Sequence, residues 1–414
     1  MASFHFLHAA DVHLDSPLRG LARYEGVPAD EVRTATRTAF NRLVDTAIEH
    51  KVAFVVLAGD LFDAAPRDVG GRLAVAAGFG RLIQAGIEVF ALHGNHDAES
   101  NLTRGLPAQA GVHWFPTKEP RTLLHAATGT ALHGQGFATA AVLDNLAVHY
   151  PAARPGAFNI GVLHTALGGA QGHEPYAPCA IEELAARNYD YWALGHVHGH
   201  AVLHNDPPIV YAGALQGRSI REVGPKGAVL VEVVDNQVQA TTHLPLDVVR
   251  WALVRADVTG TASEAAVEQR ILDALRRAVA TEADGRPLLV RLVLSGATSL
   301  HGALQHWPTS RRDELRELAA GVPAELWLEK IVVDTTPDDD AAVAPVASMG
   351  DLASLLAADP ATLTDPMRSA LDLFVGRQSA TEPGGLVEAA RAGDWGRIIA
   401  RAELALLARL GGAG

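Results

Sequence analysis

The chain has 414 residues, of which 48% are hydrophobic and 20% are charged, with a formal net charge of −13. This length exceeds one ordinary hydrophobic core and predicts two or three domains, and the hydrophobic and charged fractions are those of a soluble globular protein. Cys179 is the only cysteine, which excludes an internal disulfide, and no apolar run resembles a membrane span or a signal peptide, so a cytoplasmic location is expected.

The first part of the chain alternates apolar runs with helical stretches. Short apolar runs bounded by turn residues predict buried strands, and the stretches 33–50 and 71–85 predict helices between them. The runs 229–234 and 238–243 flank three polar residues and predict a closing hairpin. This βαβ rhythm predicts a first α/β domain over residues 1–245.

Five of the apolar runs end in side chains that bind metals. In chain order they lead into Asp11-Val12-His13, Gly59-Asp60, Gly94-Asn95-His96-Asp97, His164 and Gly195-His196-Val197-His198. In open α/β sheets, sites form just outside the carboxyl ends of the strands. Carboxylate, imidazole and amide groups without sulfur suit a borderline-hard divalent ion. Each motif alone is ordinary loop or turn chemistry, but all five at strand ends predict a two-metal hydrolase.

In this order the motifs resemble the calcineurin-like metallophosphoesterase superfamily. The opening segment Phe6–Leu18, the form Gly59-Asp60-Leu61-Phe62-Asp63 and the stretch from Tyr211 to Gly227 are similar to its DNA-repair nuclease branch. That branch contains the SbcD-type exonuclease subunits and their YhaO-like bacterial members. The resemblance implies an α/β fold with a β-sandwich flanked by helices, a small α/β capping domain and a helical C-terminal tail.

The resemblance also implies two sets of metal ligands. One metal would be held by Asp11, His13, Asp60 and His198, and the other by Asp60, Asn95, His164 and His196. A bridging carboxylate such as Asp60 can hold two cations roughly 3.5–4 Å apart, close enough to clamp one phosphate. Coordination lowers the pKa of bound water, so a metal-bound hydroxide is the expected nucleophile and Mn²⁺ the expected ion.

Two neighbouring residues are expected to serve catalysis without binding a metal. In the resembled family His96 would stabilise or protonate the leaving oxygen, since the pKa of imidazole lies near neutrality. Asp97 is expected to hold the ring of His96, and the alternative for Asp97 is a turn or helix-capping residue. Asp63 is expected to support a histidine. Arg19, Arg218 and Arg221 are candidate phosphate contacts, and the alternative is that they are solvated or ion-paired.

The rest of the chain predicts a second module and a tail. Strands at 249–256, 287–295 and 326–333 with helices at 262–280 and 311–320 predict an α/β capping domain over residues 246–335. An Asp-, Thr- and Pro-rich segment then opens a linker and helical region over 336–414. Its last helix repeats an apolar residue every fourth position (Ile398, Ala402, Leu406 and Leu410). This face either packs on its own protein or docks a partner.

The sequence is compatible with three functions. The leading hypothesis is a DNA repair nuclease, an exonuclease subunit that works with an ABC/SMC-like coiled-coil ATPase, and a homodimer is left open. The second is a stand-alone phosphoesterase for a small nucleotide or another phosphodiester or pyrophosphate. It would explain the net charge of −13, which is unusual for a protein that binds DNA by itself. The third is a mainly structural subunit that regulates an ATPase.

Overall fold

The computed structural model describes residues 2–16, 18, 29–63, 69–99, 106–169, 174–322 and 324–338. The chain divides into two compact units. The first comprises Met1–Ala252 with Glu282–Leu289, and the second comprises Leu253–Thr281 with Val290–Gly414. Among the described residues, no helix has the length and apolar character needed to cross a membrane.

The first unit contains two six-stranded sheets. Across the first sheet the strands are β12 (Gln237–Pro245), β11 (Gly227–Val234), β1 (Phe4–Ala9), β2 (Phe54–Ala58), β3 (Glu88–Leu92) and β4 (Val112–Trp114). Strands β1 to β4 are parallel, and β11 and β12 form the antiparallel hairpin predicted from the sequence. The carboxyl ends of β1, β2 and β3 therefore lie at one edge of this sheet.

The second sheet also has six strands, four of which are parallel. Its strands, in spatial order, are β5 (Arg121–His125), β6 (Thr130–Gly134), β7 (Phe158–His164), β8 (Tyr191–Gly195), β10 (Pro208–Tyr211) and β9 (Ala201–Asn205). Strands β6, β7, β8 and β10 are parallel, and β5 and β9 run antiparallel at the two edges. The other two predicted ligand motifs, His164 and the segment from His196 to His198, lie at the carboxyl ends of β7 and β8.

The two sheets pack face to face as a sandwich because each central strand is apolar on both faces. In β2, Phe54 and Val56 belong to the core between the sheets, whereas Val55 and Leu57 face the helices. In a strand, successive side chains point to opposite faces, so a continuous apolar run is what a strand covered on both sides requires. The predicted α/β class with a β-sandwich flanked by helices is confirmed.

Helices cover the outer faces of the sandwich. Helices α1 (Ala29–Glu49) and α2 (Val69–Gln84) pack on the first sheet, and α4 (Ile181–Ala185) packs on the second. The apolar positions of α1 recur at helical spacing, so one stripe is buried (Ala39, Phe40, Leu43, Val44 and Ala47). Shorter elements are α3 (Asn95–Glu99) and two 3₁₀ turns (Leu146–His149 and Leu167–Gly169).

The remaining strands form a three-stranded sheet with helices beside it in the chain. The strands are β13 (Arg250–Asp257), β14 (Leu288–Thr298) and β15 (Leu326–Pro337). The helices are α5 (Glu264–Ala278), α6 (His301–Leu304), α7 (Trp307–Ser310) and α8 (Arg312–Ala320), with a π turn at Val279–Ala283. The predicted order of strands and helices in this module is confirmed, whereas the helical tail lies outside the described residues.

The structural division differs from the boundary expected after residue 245. It assigns residues 246–252 and 282–289 to the first unit, and ion pairs give the reason. Asp247 is fully buried and contacts the guanidinium groups of both Arg250 and Arg286, at 2.8 and 3.0 Å. A buried carboxylate needs such partners, because an unpaired one is strongly destabilising. The boundaries 1–245, 246–335 and 336–414 stay a prediction.

Candidate metal centre

The polar residues that follow five strands meet at one edge of the sandwich. The loops after β1 and β2 run side by side, because the N–H groups of Asp11 and His13 donate to the carbonyls of Gly59 and Asp60 at 3.0 Å. A ring nitrogen of His164, at the end of β7, reaches across to the carbonyl of Ala58, at 2.9 Å. The carboxyl ends of parallel strands from both sheets therefore build a single site.

Four of the predicted ligands have left-handed backbone conformations. Their φ angles are 49° for Asp11, 43° for His13, 55° for Asp60 and 95° for His196. A side chain with a Cβ rarely adopts positive φ, and each such residue costs of order 1–3 kcal/mol unless the surroundings fix it. Strain of this kind concentrates at functional sites, so its repetition at four predicted ligands supports a functional role for this edge.

A first cluster of ligand atoms consists of Asp11, His13 and His198, whose ligand atoms all lie within 4.8 Å of one another. The Nε2 atoms of His13 and His198 are 3.3 Å apart, and Nε2 of His198 lies 3.8 Å from Oδ1 of Asp11. Two imidazole nitrogens at this distance can share one proton or one cation. The geometry suits a cation, because bonds of about 2.0–2.1 Å to one ion would set its ligands roughly this far apart.

A second cluster consists of Asp11, Asp60 and His164. Nε2 of His164 lies 3.4 Å from Oδ2 of Asp60 and 3.0 Å from Oδ1 of Asn95. The same Oδ2 atom lies 3.8 Å from Nε2 of His13, so one carboxylate oxygen stands between a histidine of each cluster. This is the position that a bridging ligand between two ions would need.

The ring of His196 lies 5.1 Å from that of His164 between centroids, but His196 is not among the three residues of the second cluster. Its backbone N–H donates to both carboxylate oxygens of Asp11, at 3.2 and 3.0 Å. Its Nε2 lies 3.0 Å from the carbonyl oxygen of Glu174, which can only accept. In the neutral ring the proton is then on Nε2, and Nδ1 is the nitrogen that would bind a metal.

Burial and charge set the protonation of the cluster. Burial raises the pKa of Asp11. For Asp60, burial acts to raise the pKa, but the charges and the hydrogen bond of the neighbouring histidines, first among them the charge of His164, together outweigh it and lower the pKa. Burial lowers the pKa of His13 well below its usual value, and the charge of Arg218 adds to this effect. A neutral His13 beside an ionised Asp60 is a donor pair that a divalent ion takes. For His164, burial acts to lower the pKa, but the charge and hydrogen bond of Asp60, with a smaller contribution from Asp11, raise it to about 9, so an ion at this ring would replace its proton. The oxygen and nitrogen donors of the clusters fit two divalent metals.

His96 lies beside the clusters, with its ring against Asp63. Nδ1 of His96 lies 2.9 Å from Oδ1 of Asp63, and the hydroxyl of Ser16 donates to the other oxygen of Asp63 at 2.8 Å. Ligand atoms of His13, Asp60 and His96 also lie within 4.8 Å of one another. Distance alone therefore does not separate a ligand from an acid, and the metal-free role of His96 stays a prediction.

The contacts of Asp97 are mainly with backbone N–H groups. Its carboxylate accepts the backbone N–H groups of Leu61 and Phe62 at 3.1 and 3.0 Å, and that of Gly94 at 3.2 Å. These hydrogen bonds join the loop after β2 to the loop after β3, as a turn or capping residue does. Burial raises the pKa of Asp97 to about 6. These contacts favour the turn or capping alternative for Asp97, and the carboxylate that lies 2.9 Å from the ring of His96 is that of Asp63.

The candidate arginines differ from one another. Arg218 is ion-paired, with Nη2 3.3 Å from Glu222 and Nη1 3.8 Å from Asp63. Arg221 is exposed, and its backbone N–H donates to the hydroxyl of Ser219. Arg19 lies outside the described residues. For Arg218 the structure favours the ion-paired alternative over a phosphate contact.

Sequence reasoning gave no role to Glu222, although it lies in the resembled stretch. Its Oε1 accepts the Nδ1–H of His198 at 2.8 Å, which leaves Nε2 to face the cluster. For Glu222, burial acts to raise the pKa, but the hydrogen bond and charge of His198, together with the charge and the backbone N–H of Arg218, outweigh it and lower the pKa. A carboxylate behind a metal-binding histidine fixes its tautomer and ring orientation. Its place in the stretch from Tyr211 to Gly227 was a signal in the sequence, although that stretch does not show which histidine Glu222 contacts.

Comparisons with known proteins show the family of this chain. The family model described as calcineurin-like phosphoesterase matches residues 4–200, and that of the metallophosphoesterase YhaO middle domain matches residues 251–336. The chain is 34% identical over 295 residues to the uncharacterized metallophosphoesterase YhaO of Bacillus subtilis, covering 70% of this chain and 71% of that protein.

More distant similarities were also found. The chain is 27% identical over 277 residues to the DNA double-strand break repair protein Mre11 of Haloferax volcanii, covering 64% of this chain and 57% of that protein. A solved dimetal phosphatase from Danio rerio aligns with a TM-score of 0.36 and 11% identity, over 57% of this chain and 94% of that structure. On the extent of the YhaO match and the family motifs, the chain belongs to the calcineurin-like metallophosphoesterases.

Proposed function

We propose that this metallophosphoesterase is a two-metal phosphodiesterase that cleaves DNA, and that it acts as the nuclease subunit of a repair complex. The observation that carries the hydrolytic part is the position of Asp60. Its Oδ2 lies between His13 and His164, at 3.8 and 3.4 Å from their Nε2 atoms. A carboxylate shared in this way lets two ions clamp one phosphate between them.

The residues of the chain divide the work of hydrolysis. When bound, the two ions would supply positive charge for the phosphate and activate water. His96 would donate a proton to the leaving oxygen, and Asp63 would hold the ring in the orientation required for that transfer. Asp11, Asp60 and His13 are almost fully buried, so bulk water is excluded from the metal side of the cluster and electrostatic interactions there are strong.

DNA as the substrate is supported by the similarity to Mre11 of Haloferax volcanii, whose name describes double-strand break repair. The net charge of −13 opposes tight DNA binding by the isolated chain, because affinity for DNA rests mainly on basic side chains that contact phosphates. We therefore propose that an ABC/SMC-like coiled-coil ATPase provides many of the contacts that bind DNA. Salt-dependent DNA binding by the ATPase complex, with little binding by the chain alone, would support this division.

A small nucleotide or pyrophosphate substrate is the alternative that the acidic charge favours. A three-way assay with Mn²⁺ separates the two functions: release from bis-p-nitrophenyl phosphate, degradation of a labelled DNA duplex, and release from a phosphomonoester. DNA degradation together with diester hydrolysis supports the nuclease. Hydrolysis of small substrates with intact DNA, both alone and with the ATPase, would refute it.

A further inference from the structure

A continuous series of contacts joins His96 to the guanidinium of Arg218. Nδ1 of His96 lies 2.9 Å from Oδ1 of Asp63, and Oδ2 of Asp63 accepts the hydroxyl of Ser16 at 2.8 Å. Nη1 of Arg218 donates to the same hydroxyl oxygen at 3.3 Å and lies 3.8 Å from Oδ2 of Asp63. The orientation of His96 is therefore tied to the position of Arg218.

The same guanidinium is joined to the metal-ligand candidate His198. Nη2 of Arg218 donates to Oε1 of Glu222 at 3.3 Å, and that oxygen also accepts the Nδ1–H of His198 at 2.8 Å. The backbone N–H of Arg218 donates to Oε2 of Glu222 at 2.7 Å. Because both oxygens of Glu222 have donors from Arg218, the carboxylate that orients His198 is held by that one residue.

These contacts are shielded from water. The side chains of Arg218, Asp63 and Glu222 are only 16%, 15% and 12% exposed. Pairs that are largely buried are screened by salt less than surface pairs. The guanidinium is a rigid, planar fork that can contact two acceptors at once, whereas an ammonium group is a single point of charge. Lysine at this position could therefore satisfy one carboxylate but not both.

We propose that Arg218 is a positioning residue that holds the rings of His96 and His198 in one common geometry. This inference rests on the proposed function, which gives His96 the leaving oxygen and His198 a metal. The two rings come from separate sheets of the sandwich, and Arg218 connects them through Asp63 and Glu222. Nη2 of Arg218 also lies 3.4 Å from Nδ1 of His198, so loss of Arg218 would disturb the metal-ligand candidate and the acid together.

Metal affinity gives the first test, with full-length chain titrated with Mn²⁺ by calorimetry. Arg218→Ala and Arg218→Lys should both weaken one Mn²⁺ site about 10–100-fold, the loss typical when a partner that orients a metal-binding histidine is removed. The matched control is Arg286→Ala. The Arg286 side chain is 17% exposed and also contacts two carboxylates, Asp247 at 3.0 Å and Asp284 at 2.6 Å. The control should keep normal Mn²⁺ affinity, and normal affinity in both Arg218 variants would overturn the proposal.

Kinetics on a small phosphodiester separate positioning from phosphate binding. A positioning residue lowers kcat and leaves KM nearly unchanged, whereas a residue that binds the phosphate in the ground state raises KM. We therefore expect Arg218→Lys to lower kcat with an unchanged KM. A raised KM with normal kcat would overturn the proposal in favour of a phosphate contact.

A double-mutant cycle tests the connection itself. Asp63→Asn and Glu222→Gln should be non-additive in the free energy of unfolding of the metal-free chain, because both carboxylates share Arg218. The same two changes should become additive in the Arg218→Ala background. Additivity in both backgrounds would overturn the proposal. The calorimetric and unfolding measurements need no substrate, so they test this inference whether or not the wild-type chain hydrolyses diesters. A wild-type chain without diesterase activity would refute only the proposed function.

Discussion

Oδ1 of Asp63 lies 2.9 Å from Nδ1 of His96, and the hydroxyl of Ser16 holds Asp63 from the other side. Burial acts to lower the pKa of His96, but the hydrogen bond with Asp63 and the charge of Asp60 outweigh it and raise the pKa. A raised pKa keeps the ring protonated closer to neutral pH, which suits a group that gives a proton to a leaving oxygen. The two residues form a unit beside the metal-ligand candidates, and the metal-free role of His96 stays a prediction.

The first prediction separates this unit from metal binding. His96→Ala should retain both metals and lose roughly 10²–10⁴-fold in kcat on a phosphodiester, the range for removal of a general acid. Asp63→Asn should also retain the metals, and its kcat should fall less than that of His96→Ala, because His96 remains and only the orientation of its ring is weakened. Metal content and kcat are measured on the same preparations. Loss of a metal in His96→Ala would make His96 a ligand.

Asp60 should be the single position at which substitution is most damaging. Its Oδ2 lies near a histidine of each cluster, so Asp60→Ala should reduce binding of both ions and abolish hydrolysis. His13→Ala and His164→Ala should each weaken mainly one ion, and they serve as the comparison. Near-normal metal content in Asp60→Ala, measured by elemental analysis after dialysis, would contradict the bridging assignment.

Gly94 should not tolerate a methyl group, although its backbone angles are ordinary. A Cβ there would lie 2.2 Å from Oδ1 and 2.8 Å from the backbone nitrogen of Asp60. Gly94→Ala must therefore displace Asp60, and we expect loss of metal affinity and of activity. Gly80, in α2, has open space around it, so Gly80→Ala should keep full metal affinity and stabilise the fold by about 0.5–1 kcal/mol. Equal metal affinity in the two variants would contradict this packing argument.

His8 should make the fold sensitive to acid. It is fully buried in β1, with its ring nitrogens 3.0 Å from the hydroxyl of Tyr191 and 3.2 Å from the carbonyl of Leu194. Burial lowers the pKa of His8 from 6.5 to about 3. Between pH 6.5 and about pH 3, His8 is protonated in the unfolded chain but neutral in the folded chain. The free energy of unfolding therefore falls as the pH falls, by about 1.4 kcal/mol per pH unit at most.

The measurement is the free energy of unfolding in urea at several pH values between 7 and 4. His8→Gln cannot titrate, so it should be less stable than wild type at pH 7 but should lose less stability on acidification. Parallel pH profiles for the two proteins would show that His8 is not the source of the slope.

The sequence by itself determined the secondary structure and the chemistry at the strand ends. Strands such as β2 and β8 are continuous apolar runs because each is covered on both faces, and that pattern is visible without coordinates. The ligand types were equally visible, since Asp60, His164 and their counterparts follow those runs directly. Both features are local, because they depend on residues next to one another in the chain.

Only the tertiary structure decided which carboxylate contacts which histidine. Asp97 is adjacent to His96 in sequence, yet its carboxylate is bound by the N–H groups of the loop after β2, and Asp63 from that loop meets the ring. Glu222 reaches His198 only because the chain after β10 returns to the site. Such contacts depend on how loops from two sheets are brought together, and strand register sets this geometry over distances that no local pattern encodes.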